Sequence, residues 1–203
     1  MKEIMYLISA IQENGEISYQ HDKDVILINP IADTKPTGYC YEIFKPLSDE
    51  EITKLVAGYR KAFPKVLQDF YKITNGIFLF GRAVSVFGVP VWSAGYKQPV
   101  SIGFADGHRT EHCPENRLFF ASYQTDPEIQ LFFEVDRPTE DMPVFAAVYG
   151  NNTIVKKWAS FEEWFISEHN RLLEQYNNNE YRQIDIVKDV LREIQFHQVF
   201  NAN

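Results

Sequence analysis

The sequence predicts an α+β protein in which a mainly antiparallel sheet of about six strands packs against helices. Two observations mark the helices. Ser48 followed by Glu51 and Ser160 followed by Glu163 are capping boxes, and apolar residues at helical spacing follow each of them. A third observation marks the sheet. Between Gly76 and Ser160 the pattern contracts to short aromatic and β-branched runs broken by turn residues, as in a meandering antiparallel sheet.

The elements follow in order. A short helix ends near Gly15, and the strand-like runs Val25–Asn29 and Tyr39–Phe44 are separated by Pro30, Pro36 and Gly38. Residues 1–46 are therefore expected as an N-terminal elaboration packed on a main domain of residues 47–203, the whole forming one compact unit. From Ser48, the stripe Ile52, Leu55, Val56, Tyr59 and Phe63 predicts a helix stopping near Phe63. Pro64 then suits a first helical position, and Val66, Leu67, Phe70 and Tyr71 form a second stripe ending at Asn75–Gly76.

Strands are expected near Ile77–Leu79, Ala83–Val89, Leu118–Tyr123, Ile129–Val135, Val144–Tyr149 and Ile154–Trp158. Gly81, Asp126–Pro127, Pro138–Pro143 and Gly150–Asn152 supply the turns, and Trp92–Asn116 is irregular. After Ser160, Phe161, Trp164, Phe165, Leu172 and Tyr176 predict a helix closed by Asn177–Asn179. An additional C-terminal helix from about Tyr181 carries Ile184, Val187, Leu191 and Ile194 on one face, widened by Ile186 and Val190.

Composition narrows the function classes. Hydrophobic residues make up 45% of the 203 and charged residues 24%, which suits a globular chain and not a disordered one. The net charge of −8, from 20 Lys and Arg against 28 Asp and Glu, opposes nucleic acid and anionic membrane and favours a basic partner. Cys40 and Cys113 are too few for a disulfide framework and read as buried free thiols. The opening residues lack the features of an export signal, and no apolar run is long enough to span a bilayer, so the cytoplasm is the expected compartment.

No motif calls for catalysis or a cofactor. Asp106, His108, His112 and Cys113 offer zinc-binding atoms, but Gly107 and Pro114 argue for a loop in which the two histidines do not share a face. Neither cysteine sits in a nucleophile motif. Glu134, Asp136, Glu140 and Asp141 read as a solvated sheet face and turn. Gly76–Gly81 lacks the Lys-Ser/Thr ending of a phosphate loop, and Arg82, Lys156 and Lys157 are too sparse to track a nucleic-acid backbone.

The order of segments resembles the SUKH superfamily, which includes fungal cell-wall assembly regulators and bacterial immunity proteins. The stretch from Phe63-Pro64 to Asn75-Gly76 is similar to that family's second helix, and Val86-Phe87-Gly88-Val89 to the strand that follows. Phe119–Tyr123 and Gln130–Asp136 resemble its paired central strands, joined here by Gln124–Glu128 in place of a Gly- and Asp-rich turn. Thr153–Phe165, with Ser160-Phe161-Glu162-Glu163, resembles its final strand and helix start. The resemblance covers roughly Leu47 to Leu173.

The resemblance implies a non-catalytic protein that binds and neutralises a cognate bacterial toxin, such as a nuclease. The alternatives are a regulatory scaffold for an endogenous protein and, after that, an uncharacterised enzyme. Trp92, Tyr96 and Phe104, in an irregular segment with Gly95 and Gly103, are candidate binding anchors, and equally candidates to cap the core. Asp106, Glu111 and Glu115 are candidate rim charges.

Overall fold

The computed structural model describes residues 1–21, 25–30, 39–59, 61–90, 98–103, 113–124, 128–136, 142–150 and 153–178. The expected helix from Tyr181 and the turn residues Pro36, Gly38, Asp126, Pro127, Pro138 and Asn152 lie outside these ranges. Helix α1 (Lys2–Asn14) buries Ile4, Ile8 and Ile11, which recur at helical spacing, and ends at Gly15 as expected. Strands β1 (Ile17–His21), β2 (Val25–Pro30) and β3 (Tyr39–Phe44) follow. Then come α2 (Asp49–Gly58), α3 (Lys65–Tyr71), β4 (Ile77–Leu79) and β5 (Val84–Val86). Strands β6 (Arg117–Tyr123), β7 (Ile129–Glu134), β8 (Val144–Val148) and β9 (Ile154–Trp158) lead into α4 (Phe161–Asn177).

Among the described residues the sheet has nine strands, not about six, and they lie in chain order from β1 to β9 with every pair antiparallel. The expected six are β4 to β9. Both N-terminal runs continue the same ladder through the β3–β4 pairing. The strand that sequence reading missed is β1, an edge strand whose Ser18, Gln20 and His21 break the apolar signal.

Register separates the two faces. Ile26, Ile43, Ile77, Val86, Ala121, Leu131 and Ala146 face one another in a row across seven strands and belong to the main core. The neighbouring row, on the opposite face, runs Leu27, Glu42, Phe78, Ser85, Ser122, Gln130 and Ala147. A bulge in β6 between Phe119 and Ala121 adds Phe120, whose ring joins the core side. There it stacks on Phe133 at 4.5 Å and meets Trp164 edge-on at 5.2 Å.

Helix ends obey local chemistry. The Ser48–Glu51 box is complete, with the Ser48 N–H donating to Glu51 Oε2 at 2.8 Å and the Glu51 N–H donating to Ser48 Oγ at 3.3 Å. The box at α4 is displaced: Ser160 Oγ accepts from the Glu163 N–H, but the Glu163 carboxylate accepts from the Ala159 N–H. Helix α2 stops at Gly58, before Phe63, because glycine is a poor helix former and Tyr59 turns extended. Phe63 still enters the core, 4.9 Å from the Tyr59 ring. Pro64 caps α3 from outside its first turn, and α3 ends at Tyr71, short of the expected Asn75.

The start of α1 has no side-chain cap of its own. Glu162, in the first turn of α4, serves instead, accepting from the Glu3 N–H at 2.9 Å and lying beside the Met1 amino group. Partial burial pushes the Glu162 carboxyl up, but the amine and the Glu3 and Ile4 amides outweigh it and hold it below its ordinary 4.5. A carboxyl depressed in the folded state stabilises fully above its unfolded pKa, and that contribution is lost as pH falls through the folded value. Glu162→Gln is therefore expected to cost about 1 kcal/mol at pH 7 and much less near pH 3. Urea unfolding at the two pH values measures this, and an unchanged midpoint at pH 7 would count against the cap.

Candidate interaction surface and its supports

The irregular segment singled out in the sequence joins β5 to β6 in the middle of the sheet. Trp92, Tyr96, Phe104, Asp106 and Glu111 lie outside the described residues. Glu115 is described, exposed in the turn that leads into β6. The base of the segment is well defined. The Gly88 N–H donates to the Val100 carbonyl at 2.8 Å, and the Ile102 N–H donates to the Gly88 carbonyl at 2.9 Å. Val100, beside this junction, is an exposed large apolar residue.

The Asn75–Gly76 and Phe87–Gly88 motifs meet at the same place. Gly76 has φ +86°, the left-handed conformation that closes the turn after α3, and a Cβ there would lie 2.8 Å from the Val86 carbonyl oxygen. A Cβ on Gly88 would sit 2.3 Å from the Asn75 carbonyl oxygen. Both glycines therefore serve close backbone approach, and the two motifs are halves of one contact.

Two polar groups are buried under α4. Glu168 accepts from Arg171 Nε at 2.9 Å and lies 3.7 Å from Lys156 Nζ. The Trp164 indole N–H donates to the Tyr123 hydroxyl at 3.3 Å. Burial, then the charge of Glu168, pushes the Tyr123 phenol well above its ordinary value, so Tyr123 stays neutral. Next to this cluster, His169 Nε2 lies 3.1 Å from the Tyr41 hydroxyl, and its Nδ1 is 3.4 Å from Asn170 Oδ1. A neutral ring protonated on Nδ1 satisfies both contacts, accepting from Tyr41 and donating to Asn170. Burial pushes this imidazole below its ordinary 6.5, with the Asn170 contact opposing.

Sequence reading passed over Glu168 and His169 because they are polar. Their positions gave a signal, since each lies four residues after Trp164 or Phe165 on the same helical stripe.

The remaining candidates divide. Cys40 is buried beside Tyr176, and burial raises its thiol pKa, which disfavours the reactive thiolate. Cys113 is half-buried, not buried as expected, and packs against the Phe119–Phe132 cluster on the outer sheet face. Neither forms a disulfide. Glu134 pairs across the sheet with Arg117, and Asp136 is exposed; Glu140 and Asp141 lie outside the described residues. Among the described residues no group of His, Cys, Asp and Glu could hold a metal ion, and Asp106, His108 and His112 lie outside them.

On the outer face, Arg82, Arg117 and Lys157 lie over the rings of Phe78, Phe132 and Phe145 at 4.5, 4.2 and 5.2 Å. No described helix is long and apolar enough to cross a membrane.

This architecture, an antiparallel meander with helices over its core face, defines an α+β protein of the class that the sequence resembled. The chain belongs to the SMI1/KNR4 family (SUKH-1), whose family model matches residues 46–167. No curated protein and no solved structure matches the chain significantly.

Two outcomes test this description. Gly88→Ala is expected to destabilise by about 3 kcal/mol, since the contacting atoms are backbone and cannot move aside cheaply; a loss below about 0.5 kcal/mol would contradict the close approach. His169 is neutral when buried, so its stabilising contribution is present above pH 6.5 and is lost as pH falls through its depressed folded value. His169→Phe is accordingly expected to lose less stability than the wild type between pH 7 and pH 5, measured by denaturant unfolding at both values.

Proposed function

We propose that this chain is a non-catalytic binding protein that holds a cognate bacterial toxin inactive in the cytoplasm. Family membership carries the reading, because the matched span 46–167 contains β4 to β9 and the long segment between β5 and β6. Two further observations support it. The buried Glu168 and His169 are engaged with Lys156 and Tyr41, which tie α4 to β9 and β3, and Glu168 also pairs with Arg171 within the helix. The net charge of −8 suits a basic partner such as a nuclease, since complementary charge speeds encounter.

Within this reading Trp92, Tyr96 and Phe104 are the apolar anchors, and Asp106, Glu111 and Glu115 form an acidic rim. Anchoring aromatics of this kind carry a disproportionate share of binding energy, and rim charges act mainly on the association rate.

The test is co-expression with a toxin encoded beside the gene, followed by titration of the purified pair. Cells are expected to survive, the proteins to bind, and Trp92→Ala and Tyr96→Ala each to weaken binding by about 2 kcal/mol. Absence of both protection and binding would overturn the proposal. Pull-down of an unrelated endogenous protein, with no toxin bound, would favour the regulatory-scaffold alternative.

A further inference from the structure

The meander ends at β9, and among the described residues no strand pairs with its outer side. Alternate residues of such an edge strand turn their N–H and C=O groups outward, where another strand can meet them. The register with β8 fixes the side chains of β9. Trp158 lies opposite Val144 and Lys156 opposite Ala146, on the core side of the sheet. Lys157 lies opposite Phe145 and Ile154 opposite Ala147, on the outer face. Val155 is the extra residue of a bulge between them, and it packs against the main core.

This arrangement leaves a mixed strip at the surface of the last hairpin. Ile154 is 43% exposed and Tyr149, just past the end of β8, is 44% exposed. Tyr149 is held in place, its N–H donating to the Glu128 carbonyl at 2.8 Å. Side chains of this size kept at a surface, beside an open strand edge, mark a place where another chain can bury them. Lys156 is turned inward, its Nζ 3.7 Å from Glu168 and 4.9 Å from the Trp158 ring. Lys157 is exposed, with its Nζ 5.2 Å over the half-buried Phe145 ring, so the strip presents a cation although the chain carries a net charge of −8.

Charge decides what fits this edge. A short antiparallel pairing of two copies of β9 would crowd the Lys156 and Lys157 pair of one against that of the other, and like charges across a ladder destabilise it. The two chains would also repel as wholes, each at −8. A strand carrying carboxylates meets attraction at the edge instead.

We propose that β9 is a docking edge on which an extended acidic segment of a second protein adds as one further strand. Its backbone pairs with β9, its carboxylates face Lys157, and an apolar side chain covers Ile154 and Tyr149. The edge lies at the end of the sheet, whereas β5 and β6 lie at its middle, so this inference does not rest on the toxin reading. The basic partner proposed there and the acidic strand proposed here are different molecules.

The test uses a labelled peptide of alternating Val and Glu, its Val and Lys counterpart, and the Val and Glu peptide N-methylated at every residue, which keeps the charges and removes the donors. Each is titrated by fluorescence anisotropy into wild type, Lys157→Glu and Ile154→Asp, and amide exchange is followed in β9. The acidic peptide is expected to bind wild type about tenfold or more tightly than the basic one, to slow exchange in β9, and to lose binding when N-methylated. Lys157→Glu is expected to reverse the preference between acidic and basic peptides, and Ile154→Asp to weaken binding about tenfold.

Both substitutions are at exposed positions, and if Ile154→Asp does not fold, Lys157→Glu carries the comparison. No binding of the acidic peptide, equal binding of its N-methylated form, or an unchanged preference in Lys157→Glu would each overturn the proposal. A wild-type dimer in sedimentation that Ile154→Asp disperses would overturn it too, by assigning the edge to a second copy. Failure of a toxin to bind, with these peptide results intact, would remove the proposed function alone.

Discussion

The aromatic packing of α4 against α3, β6 and β7 is the contact on which the other supports depend. Phe161 meets Phe70 at 5.2 Å and Phe120 at 5.4 Å, and Phe165 and Trp164 extend the same cluster. Fully burying one such ring is worth about 2 kcal/mol, and well-oriented pairs add about 1 kcal/mol each. The β6 bulge is part of this arrangement, because it brings Phe120 in as an additional ring between Phe133 and Trp164. With α4 seated in this way, its polar residues acquire fixed partners.

Those partners lie largely outside the span that the family model matches. Glu162 reaches the start of α1, His169 reaches Tyr41 in β3, and Tyr176 reaches Cys40. The matched span is 46–167, so the N-terminal strands and the second half of α4 lie outside it and contact each other. The β3–β4 pairing joins the same N-terminal strands to the domain's sheet. Glu168 turns instead to β9 through Lys156, within the family span. The interior is thus tied by aromatic contact at its centre and by polar pairs toward the ends of α4.

Local chemistry was readable from sequence. Both capping serines, the end of α1 at Gly15 and strands β4 to β9 follow from side-chain spacing and turn residues that act within a few positions. The stop of α2 was harder, because the apolar period runs on to Phe63 even though that residue reaches the core from outside the helix. Strand β1 was hidden by its polar edge positions. The burial of Glu168 and His169 depends on partners far away in the chain, with Tyr41 lying 128 positions from His169. Of the expected surface, Glu115 and the base at Gly88 and Val100 are defined by the structure, and the pairing of Asn75 with Val89 emerged only from the fold.

We propose that the β5–β6 segment meets a protein partner and that the polar interior serves stability. Footprinting by hydrogen exchange, on the protein alone and with the inactivated toxin, tests it most directly. The account predicts that added protection concentrates between residues 88 and 116 and that the amides of α4 change little. Protection centred on α4 or on edge strand β9, with none in the β5–β6 segment, would contradict it.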